Sequence, residues 1–360
     1  MHYGLVMECD YRYGHSIEEG FDEAFAIADL AEKGGLDGVW LAERHFAAPK
    51  DPLDPMAGGI PSVVSTPLII CSAIAARTER LRIGVGVNVL PLIHPVRMAE
   101  EIATLDHISH GRVDFGIGRS GFMRAYEGYD IPYAESRERF QENLEIILAA
   151  WSNEKFSYEG KYYTLHDVCV IPKPVQQPFP PIRMAATTKE TFPQVGKLGY
   201  PIFVGLRGLD RPDLVALLET YREAWREAGH AGNGDVYLRI PIYVAKTQKT
   251  AYAEAEESTM RSYRRMAQNF ALSASNAGAV ASEDRAARGV ALAAVTYEDL
   301  IRDRLAYGSP DSVISQLKEI TAELGLSGIV AETNVGGLIP REQVAASIDL
   351  FCKEVVPGLR

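Results

Sequence analysis

Apolar positions along the chain follow two different periods. Short apolar runs such as 3–7 and 38–42 are typical of buried strands, whereas longer segments with apolar residues three and four apart are typical of amphipathic helices. The segment 16–33 is the clearest helix, because Ser16 and Glu19 have the spacing of a capping box and a pair of glycines follows the segment. Strand and helix alternate in eight units, which predicts a parallel sheet covered by helices.

Eight strand–helix units favour a closed (β/α)8 TIM barrel, although an open doubly wound sheet alternates in the same way. The predicted strands are 3–7, 38–42, 81–90, 112–117, 182–186, 202–205, 237–245 and 328–332. The predicted helices include 16–33, 95–110, 136–151, 189–198, 213–228 and one that begins at 309–310. We interpret residues 1–360 as a single barrel domain.

Two insertions depart from this alternation. Residues 155–171 carry a glycine between two aromatic-rich arms, which predicts a hairpin outside the barrel. Residues 271–296 are rich in Ala, Ser and Gly, and we predict an irregular mobile segment there, either a lid over a site or a solvent loop.

Composition and charge narrow the class of protein. Hydrophobic residues make up 47% of the chain, enough for a large core, and the formal net charge of -11 argues against a nucleic-acid partner. The four cysteines contain no C-x-x-C pair, so we expect neither a zinc site nor a disulfide framework. The N-terminal segment lacks a signal-peptide pattern and no membrane-length apolar run follows, so we expect a cytoplasmic protein without a membrane partner.

A histidine stands where the second predicted strand ends. The apolar run 38–42 is followed by Glu43, Arg44, His45 and Phe46. Barrel enzymes carry their catalytic residues at the C-terminal ends of strands, and imidazole exchanges a proton near neutral pH. His45 is therefore a candidate catalytic residue, the alternative being a loop histidine with local hydrogen bonds.

Two further segments have the chemistry of an anion site. Residues 116–121 fit the motif G-x-G-x-x-G, which is typical of dinucleotide sites. We reject a dinucleotide site, because neither a clean helix nor an acidic residue that could bind a ribose follows the motif. We expect instead that the glycines let a planar or anionic ligand approach the backbone beside Arg119. Thr187, Thr188 and Thr191 lie between a strand and its helix, where hydroxyls and free N–H groups bind phosphate or merely cap the helix. Convergence of both segments on one barrel face would favour phosphate.

Metal and serine-hydrolase chemistry are not indicated. His107 and His110 are three residues apart, but they precede a glycine that ends a predicted helix, where histidines favour the negative end of the helix dipole. We therefore predict no metal site. The serines lack a G-x-S-x-G elbow.

Three runs together resemble the bacterial luciferase-like flavin-dependent monooxygenases. They are GVWLAERHF at 38–46, VLPLIHPVR at 89–97 and SHGRVDFGIGR at 109–119, and their order and spacing also agree with that family. The resemblance covers nearly the whole chain. It implies a TIM barrel whose C-terminal face binds reduced flavin mononucleotide (FMNH2), which forms a flavin hydroperoxide with O2 and inserts one oxygen atom into a small organic substrate.

The resemblance also implies roles for named residues. His45 matches the active-site histidine, Arg119 matches the arginine at the flavin phosphate, and Thr188 and Thr191 match the hydroxyls at that phosphate. The other implied cofactor-binding residues are Gly86 and Val87, which match a pair joined by a non-prolyl cis peptide behind the flavin ring, and Asn88, Gly118 and Thr187.

Two of these positions depart from luciferase itself. Luciferase has a cysteine at the position of Gly118 and an acidic residue at the position of Thr187. These two differences argue against light emission by this chain. Because the chain has no nicotinamide-binding motif, we expect a separate NAD(P)H:flavin reductase to deliver FMNH2. The resemblance to the family also implies a homodimer. The alternatives are an oxidoreductase that uses a deazaflavin of the coenzyme F420 type, and a non-catalytic flavin-binding protein.

Overall fold

The computed structural model describes residues 1–9, 16–46, 62–121, 123–206, 208–274 and 279–360. The strands are β1 (His2–Met7), β2 (Gly38–Leu41), β3 (Arg82–Val85), β4 (Asn88–Val89), β5 (Val113–Gly118), β6 (Phe156–Glu159), β7 (Thr164–Val168), β8 (Ile182–Ala185), β9 (Ile202–Gly205), β10 (Val236–Val244), β11 (Ala306–Gly308) and β12 (Gly328–Glu332).

The helices surround these strands in chain order. They are α1 (Ile17–Lys33), α2 (Pro67–Arg77), α3 (Pro95–Ile108), α4 (Met123–Gly128), α5 (Ser136–Ser152), α6 (Thr191–Leu198), α7 (Arg211–Glu227), α8 (Gln248–Ala274), α9 (Ala279–Ala294), α10 (Tyr297–Asp303), α11 (Pro310–Leu324), α12 (Arg341–Leu350) and α13 (Val356–Leu359). The capping box predicted at the start of α1 is present, with Ser16 and Glu19 each bonded to the other's backbone N–H.

Eight parallel strands close into a barrel. The order is β1, β2, β3, β5, β8, β9, β10 and β12, and β12 returns to pair with β1. This confirms the predicted TIM barrel. The strands β6 and β7 pair antiparallel outside it, which confirms the hairpin at 155–171. The short strand β11, which the apolar pattern did not reveal, extends the sheet beside the C-terminal end of β10.

The structure corrects the predicted strand 81–90. β3 ends at Val85, and β4 begins only at Asn88. Between them lie Gly86 and Val87, whose peptide bond is cis and non-prolyl, as the family resemblance implied. Apolar periodicity did not locate this interruption, because Gly86 and Val87 themselves fit an apolar run and the residues on both sides of them, Val85 and Asn88, are buried.

The structure also corrects the irregular segment predicted at 271–296. α8 continues to Ala274, and α9 packs against it over Ala279–Ala294; residues 275–278 lie outside the described residues. Alanine is the strongest helix former, so this composition favours helix. Glycine has a packing role here, since a Cβ on Gly289 would lie 3.2 Å from the Ala267 carbonyl oxygen of α8.

Large aromatic side chains fill the barrel interior. Trp40, Phe203 and Tyr237 pack together with Val6 and Val330, and the three aromatic ring centroids lie 5.8–6.0 Å apart. Glycines on neighbouring strands make room for them; a Cβ on Gly84 would lie 2.9 Å from the Trp40 ring. Val87 and Ala185 pack on this cluster from the C-terminal side of the barrel.

A half-buried histidine with shielded ring nitrogens lies at the N-terminal end of the barrel. The ring of His2 lies 5.3 Å from the rings of both Trp40 and Tyr237, and neither ring nitrogen has a hydrogen-bond partner within the described part of the chain. Burial lowers the pKa of His2 from its usual value to about 4.

We expect the His2→Phe variant to lose less stability in acid than the wild type. In the unfolded chain His2 binds a proton near pH 6.5, whereas the folded protein resists protonation until about pH 4. Stability is therefore lost as the pH falls, and wild type should lose about 2 kcal/mol more than the variant between pH 7 and 5. Urea unfolding at both pH values measures the difference; equal losses would show that His2 already titrates normally.

Candidate active site

A cavity of about 860 Å³ opens at the C-terminal end of the barrel. Its walls come from the residues that follow β2, β3, β5 and β8, the position where barrel enzymes bind their ligands. The cavity brings together seven of the predicted site residues: Gly86, Val87, Gly118, Arg119, Thr187, Thr188 and Thr191. His45 and Asn88 lie behind the cavity wall and are described below.

One side of the cavity carries anion-binding groups. Arg119 follows β5, and the Oγ1 atoms of Thr188 and Thr191 lie 2.9 Å apart where α6 begins. A guanidinium, two hydroxyls and a helix N-terminus all favour a phosphate. The two segments that the sequence singled out separately therefore converge on one face, as the phosphate interpretation requires.

Arg137 adds a second positive charge that the sequence did not reveal. It lies in the first turn of α5, is exposed and lines the same cavity as Arg119. An arginine on the surface of a predicted helix carries no sequence signal for a site. Only the packing of α5 beside the end of β5 shows that both guanidinium groups face one cavity.

Another part of the cavity wall is formed by closely packed backbone. A Cβ added to Gly118 would lie 2.5 Å from Val87 Cγ2, so only glycine lets β5 approach the Gly86–Val87 peptide this closely. Asn88 is 1% exposed and donates its Nδ2 hydrogen to the Gly116 carbonyl oxygen at 2.9 Å. This bond ties β4 to β5, and a cofactor contact of Asn88 stays a prediction.

We expect Gly118→Ala to be destabilising, in contrast to Gly121→Ala. The new methyl group at 118 would push against Val87, a stiff β-branched residue, whereas a Cβ at 121 meets no atom of the described residues within 4 Å. Overpacking of this kind costs about 1–3 kcal/mol, while a surface substitution changes stability by about 0.5 kcal/mol or less. Urea unfolding of both variants makes the comparison; similar losses would mean that Val87 moves aside freely.

His45 is held between two oxygen atoms. Its Nε2 lies 2.7 Å from Glu43 Oε1, and its Nδ1 lies 3.2 Å from the Tyr129 hydroxyl. The other carboxylate oxygen of Glu43 accepts the Val89 N–H at 3.0 Å. Glu43 lines the cavity, and His45 stands behind it with a side chain only 8% exposed. Sequence reasoning missed Glu43, although a carboxylate two residues before the histidine was a usable signal.

A chain of alternating charges forms another part of the cavity wall. Glu8 is bonded to both Arg44, at 2.7 Å, and Arg239, and Arg239 Nε donates to Glu332 Oε2 at 2.9 Å. Burial disfavours the charged guanidinium of Arg239, but Glu332 and then Glu8 outweigh it and raise its pKa above the ordinary value. The four charges cancel, so Arg44 and Arg239, the two members that line the cavity, are neutralised by the carboxylates bonded to them.

The described residues contain neither a cluster of metal ligands nor a membrane-spanning helix. Among them, no group of three or more His, Cys, Asp and Glu side chains is placed to hold a metal ion. His107 Nε2 instead lies 2.9 Å from the Lys173 carbonyl oxygen, in agreement with a structural role. None of the described helices is both long and apolar enough to cross a membrane.

The fold and the cavity define a TIM-barrel protein with a ligand site at the C-terminal ends of its strands, and comparison with known proteins identifies the family. The model of the luciferase-like monooxygenase family matches residues 1–328, so the chain belongs to that family, which confirms the resemblance. One relative is the oxygenase component of a flavin-dependent trigonelline monooxygenase from Acinetobacter baylyi, 26% identical over 66% of this chain and 63% of that protein. The chain thus aligns with less than two thirds of that relative.

Solved structures with this fold use two types of cofactor. Monooxygenase RslO1 from Streptomyces bottropensis matches over both whole chains with a TM-score of 0.82 and 24% identity. The oxygenating constituent of 3,6-diketocamphane monooxygenase from Pseudomonas putida, a complex with FMN, matches over 100% and 99% of the two chains (TM-score 0.78, 22% identity). A coenzyme F420-dependent tetrahydromethanopterin reductase from Methanopyrus kandleri matches over the same shares (TM-score 0.73, 19% identity).

Proposed function

We propose that this protein is the oxygenase component of a two-component flavin monooxygenase, which uses FMNH2 and O2 to insert one oxygen atom into a small organic substrate. The observation that carries the proposal is the convergence of Arg119, Thr188 and Thr191 on one cavity with Gly118 and the Gly86–Val87 peptide. Membership of the luciferase-like monooxygenase family and the similarity to the Acinetobacter relative, an oxygenase component, support the proposal.

The donor set of the cavity fits the two ends of FMN. Arg119, Thr188 and Thr191, with Arg137 beside them, would hold the phosphate through charge-assisted and hydroxyl hydrogen bonds. The close-packed backbone at Gly118, without a side chain of its own, would face the flat ring. The cavity therefore offers groups suited to both the phosphate and the ring of FMN.

Bound FMNH2 would supply the two electrons that reduce O2, so that one oxygen atom enters the substrate and the other leaves as water. The chain's own residues must exclude bulk water and manage protons during this reaction. Val87, Val89 and Met184 give the cavity an apolar wall, and Glu43 holds a carboxylate at its edge with His45 bonded behind it. The hydrogen bond between Glu43 Oε1 and His45 Nε2 holds a proton at the edge of the cavity.

The remaining parts of the proposal concern partners. A separate NAD(P)H:flavin reductase would supply FMNH2, and a homodimer in the cytoplasm is the expected form of the protein. The substrate is a small organic molecule. Coenzyme F420-dependent hydride transfer is the second candidate, because an F420-dependent reductase shares the fold over the whole chain.

Rapid mixing with O2 tests the proposed function. Photoreduced FMNH2 bound to the protein should be reoxidised with kinetics different from those of free FMNH2, and without a substrate should yield hydrogen peroxide. Oxidised FMN with NADH should remain unreduced until a flavin reductase is added. A time course identical to that of free FMNH2, together with reduction of F420 by an added alcohol, would favour the hydride-transfer candidate.

A further inference from the structure

The hydrogen bonds around His45 have a direction. A carboxylate only accepts hydrogen bonds, so the hydrogen of a neutral His45 imidazole must be on Nε2, which lies 2.7 Å from Glu43 Oε1. The other nitrogen, Nδ1, then carries a lone pair and accepts from the Tyr129 hydroxyl at 3.2 Å. In this row of three groups, Tyr129 therefore donates a hydrogen bond to His45, and His45 donates one to Glu43.

The two ends of the row have different surroundings. Tyr129 is 44% exposed, so its hydroxyl can exchange protons with solvent. Partial burial and the negative charge of Glu43 both raise the pKa of Tyr129. Its hydroxyl therefore stays protonated, and can donate a hydrogen bond, at neutral pH. At the other end, the Glu43 side chain is 10% exposed, lines the cavity and is fixed by the Val89 N–H.

We propose that Tyr129, His45 and Glu43 form a proton relay between solvent and the cavity, in which Glu43 is the group that meets the bound ligand and His45 acts through it. One proton passes from the Tyr129 hydroxyl to Nδ1 as the Nε2 proton passes to Glu43 Oε1. Tyr129 regains a proton from water. Once Glu43 has given its proton to the ligand, the imidazole is left as its Nδ1–H tautomer, and it exchanges its ring proton with water before the next transfer.

This inference rests on the proposed function for the nature of the ligand. The proposed reaction consumes protons inside the cavity, and the relay would deliver them. When one oxygen atom of O2 leaves as water, that atom needs protons in a cavity that excludes bulk water. Of the three relay groups, Glu43 is the one that lines the cavity, so the relay can deliver protons to the ligand while bulk water stays outside. Phe46 packs at the outer end, with its ring 5.2 Å from Tyr129 and 6.0 Å from His45.

The first test needs no cofactor. In protein labelled with 15N-histidine, the His45 signals, assigned by their loss in His45→Gln, should show the Nε2–H tautomer at neutral pH. Tyr129→Phe should shift the Nδ1 resonance, whereas Tyr162→Phe, which removes an exposed hydroxyl bonded to Glu138, should leave it in place. An Nδ1–H tautomer in the wild type, or an Nδ1 signal unchanged in Tyr129→Phe, overturns the relay.

The second test measures proton transfer with FMNH2 as the probe. Reoxidation of bound FMNH2 by O2 to FMN and hydrogen peroxide should be slowed at least about 100-fold in Glu43→Gln and Tyr129→Phe, because a positioned acid or base typically contributes on the order of 10²–10⁴. Tyr129→Phe should keep the wild-type affinity for FMN. Wild-type rates in both variants overturn the relay. Failure of the wild type to bind FMNH2 defeats the proposed function instead, while the tautomer test stands.

Discussion

Replacing Glu8 with alanine is expected to lower the free energy of unfolding by about 3–5 kcal/mol, the usual effect of breaking a buried ion pair. Glu8 is shared by Arg44 and Arg239, and the exposed fractions of these three side chains are only 10%, 18% and 19%. Removing the carboxylate leaves two guanidinium groups close together with one fewer counter-charge. Because both arginines line the cavity, we expect its shape to change as well.

The matched control is Glu319→Ala. Glu319 also bonds an arginine, Arg211, at 2.7 Å, but its side chain is 65% exposed. Exposed pairs contribute about 0–1 kcal/mol, so this variant should unfold almost as the wild type does. Urea unfolding of both variants decides the matter: a loss below about 1 kcal/mol for Glu8→Ala would mean that water solvates the charged chain and that it is not a structural element.

Replacing Arg119 with alanine should weaken FMN binding about 10- to 100-fold, since hydrogen bonds to charged groups contribute about 1.5–3 kcal/mol each. Riboflavin has the same ring without the phosphate, so its affinity should hardly change. Arg119 lines the cavity beside Thr188 and Thr191, and its guanidinium makes a long hydrogen bond of 3.5 Å to Ser136 Oγ.

Flavin fluorescence titration of the two ligands makes this measurement. Arg97→Ala is the control, because it removes one positive charge from an exposed pair on α3, outside the cavity wall. It should leave both affinities as they are. Equal losses of FMN and riboflavin affinity in Arg119→Ala would place the phosphate elsewhere and give Arg119 a role in folding or at the ring.

The sequence was most informative about the barrel itself. Buried strands and amphipathic helices have different apolar periods, so the eight barrel strands could be placed from local pattern. β11 was missed because a three-residue strand is too short to show a period. The helix α9 was missed because Ala, Ser and Gly were interpreted as loop residues, although the alanines favour helix and Gly289 permits close packing.

The candidate site was predictable where its residues come from short motifs. Arg119, Thr188 and Thr191 were found because strand ends and helix starts can be recognised locally. The contacts across the barrel were not predictable in this way. Glu8 and Arg239 are separated by 231 positions, and nothing near either residue in the chain indicates the other. For the same reason the sequence did not reveal that Tyr129 lies against His45, 84 positions away.

Anaerobic equilibrium titration of the wild-type protein with FMNH2, reduced riboflavin and reduced coenzyme F420 tests the central claim most directly. If the cavity binds one flavin phosphate at Arg119, Thr188 and Thr191, FMNH2 should bind at least about tenfold more tightly than reduced riboflavin. It should also bind more tightly than reduced F420. Tighter binding of reduced F420, or equal binding of FMNH2 and reduced riboflavin, would contradict the assignment of this cavity as an FMNH2 site.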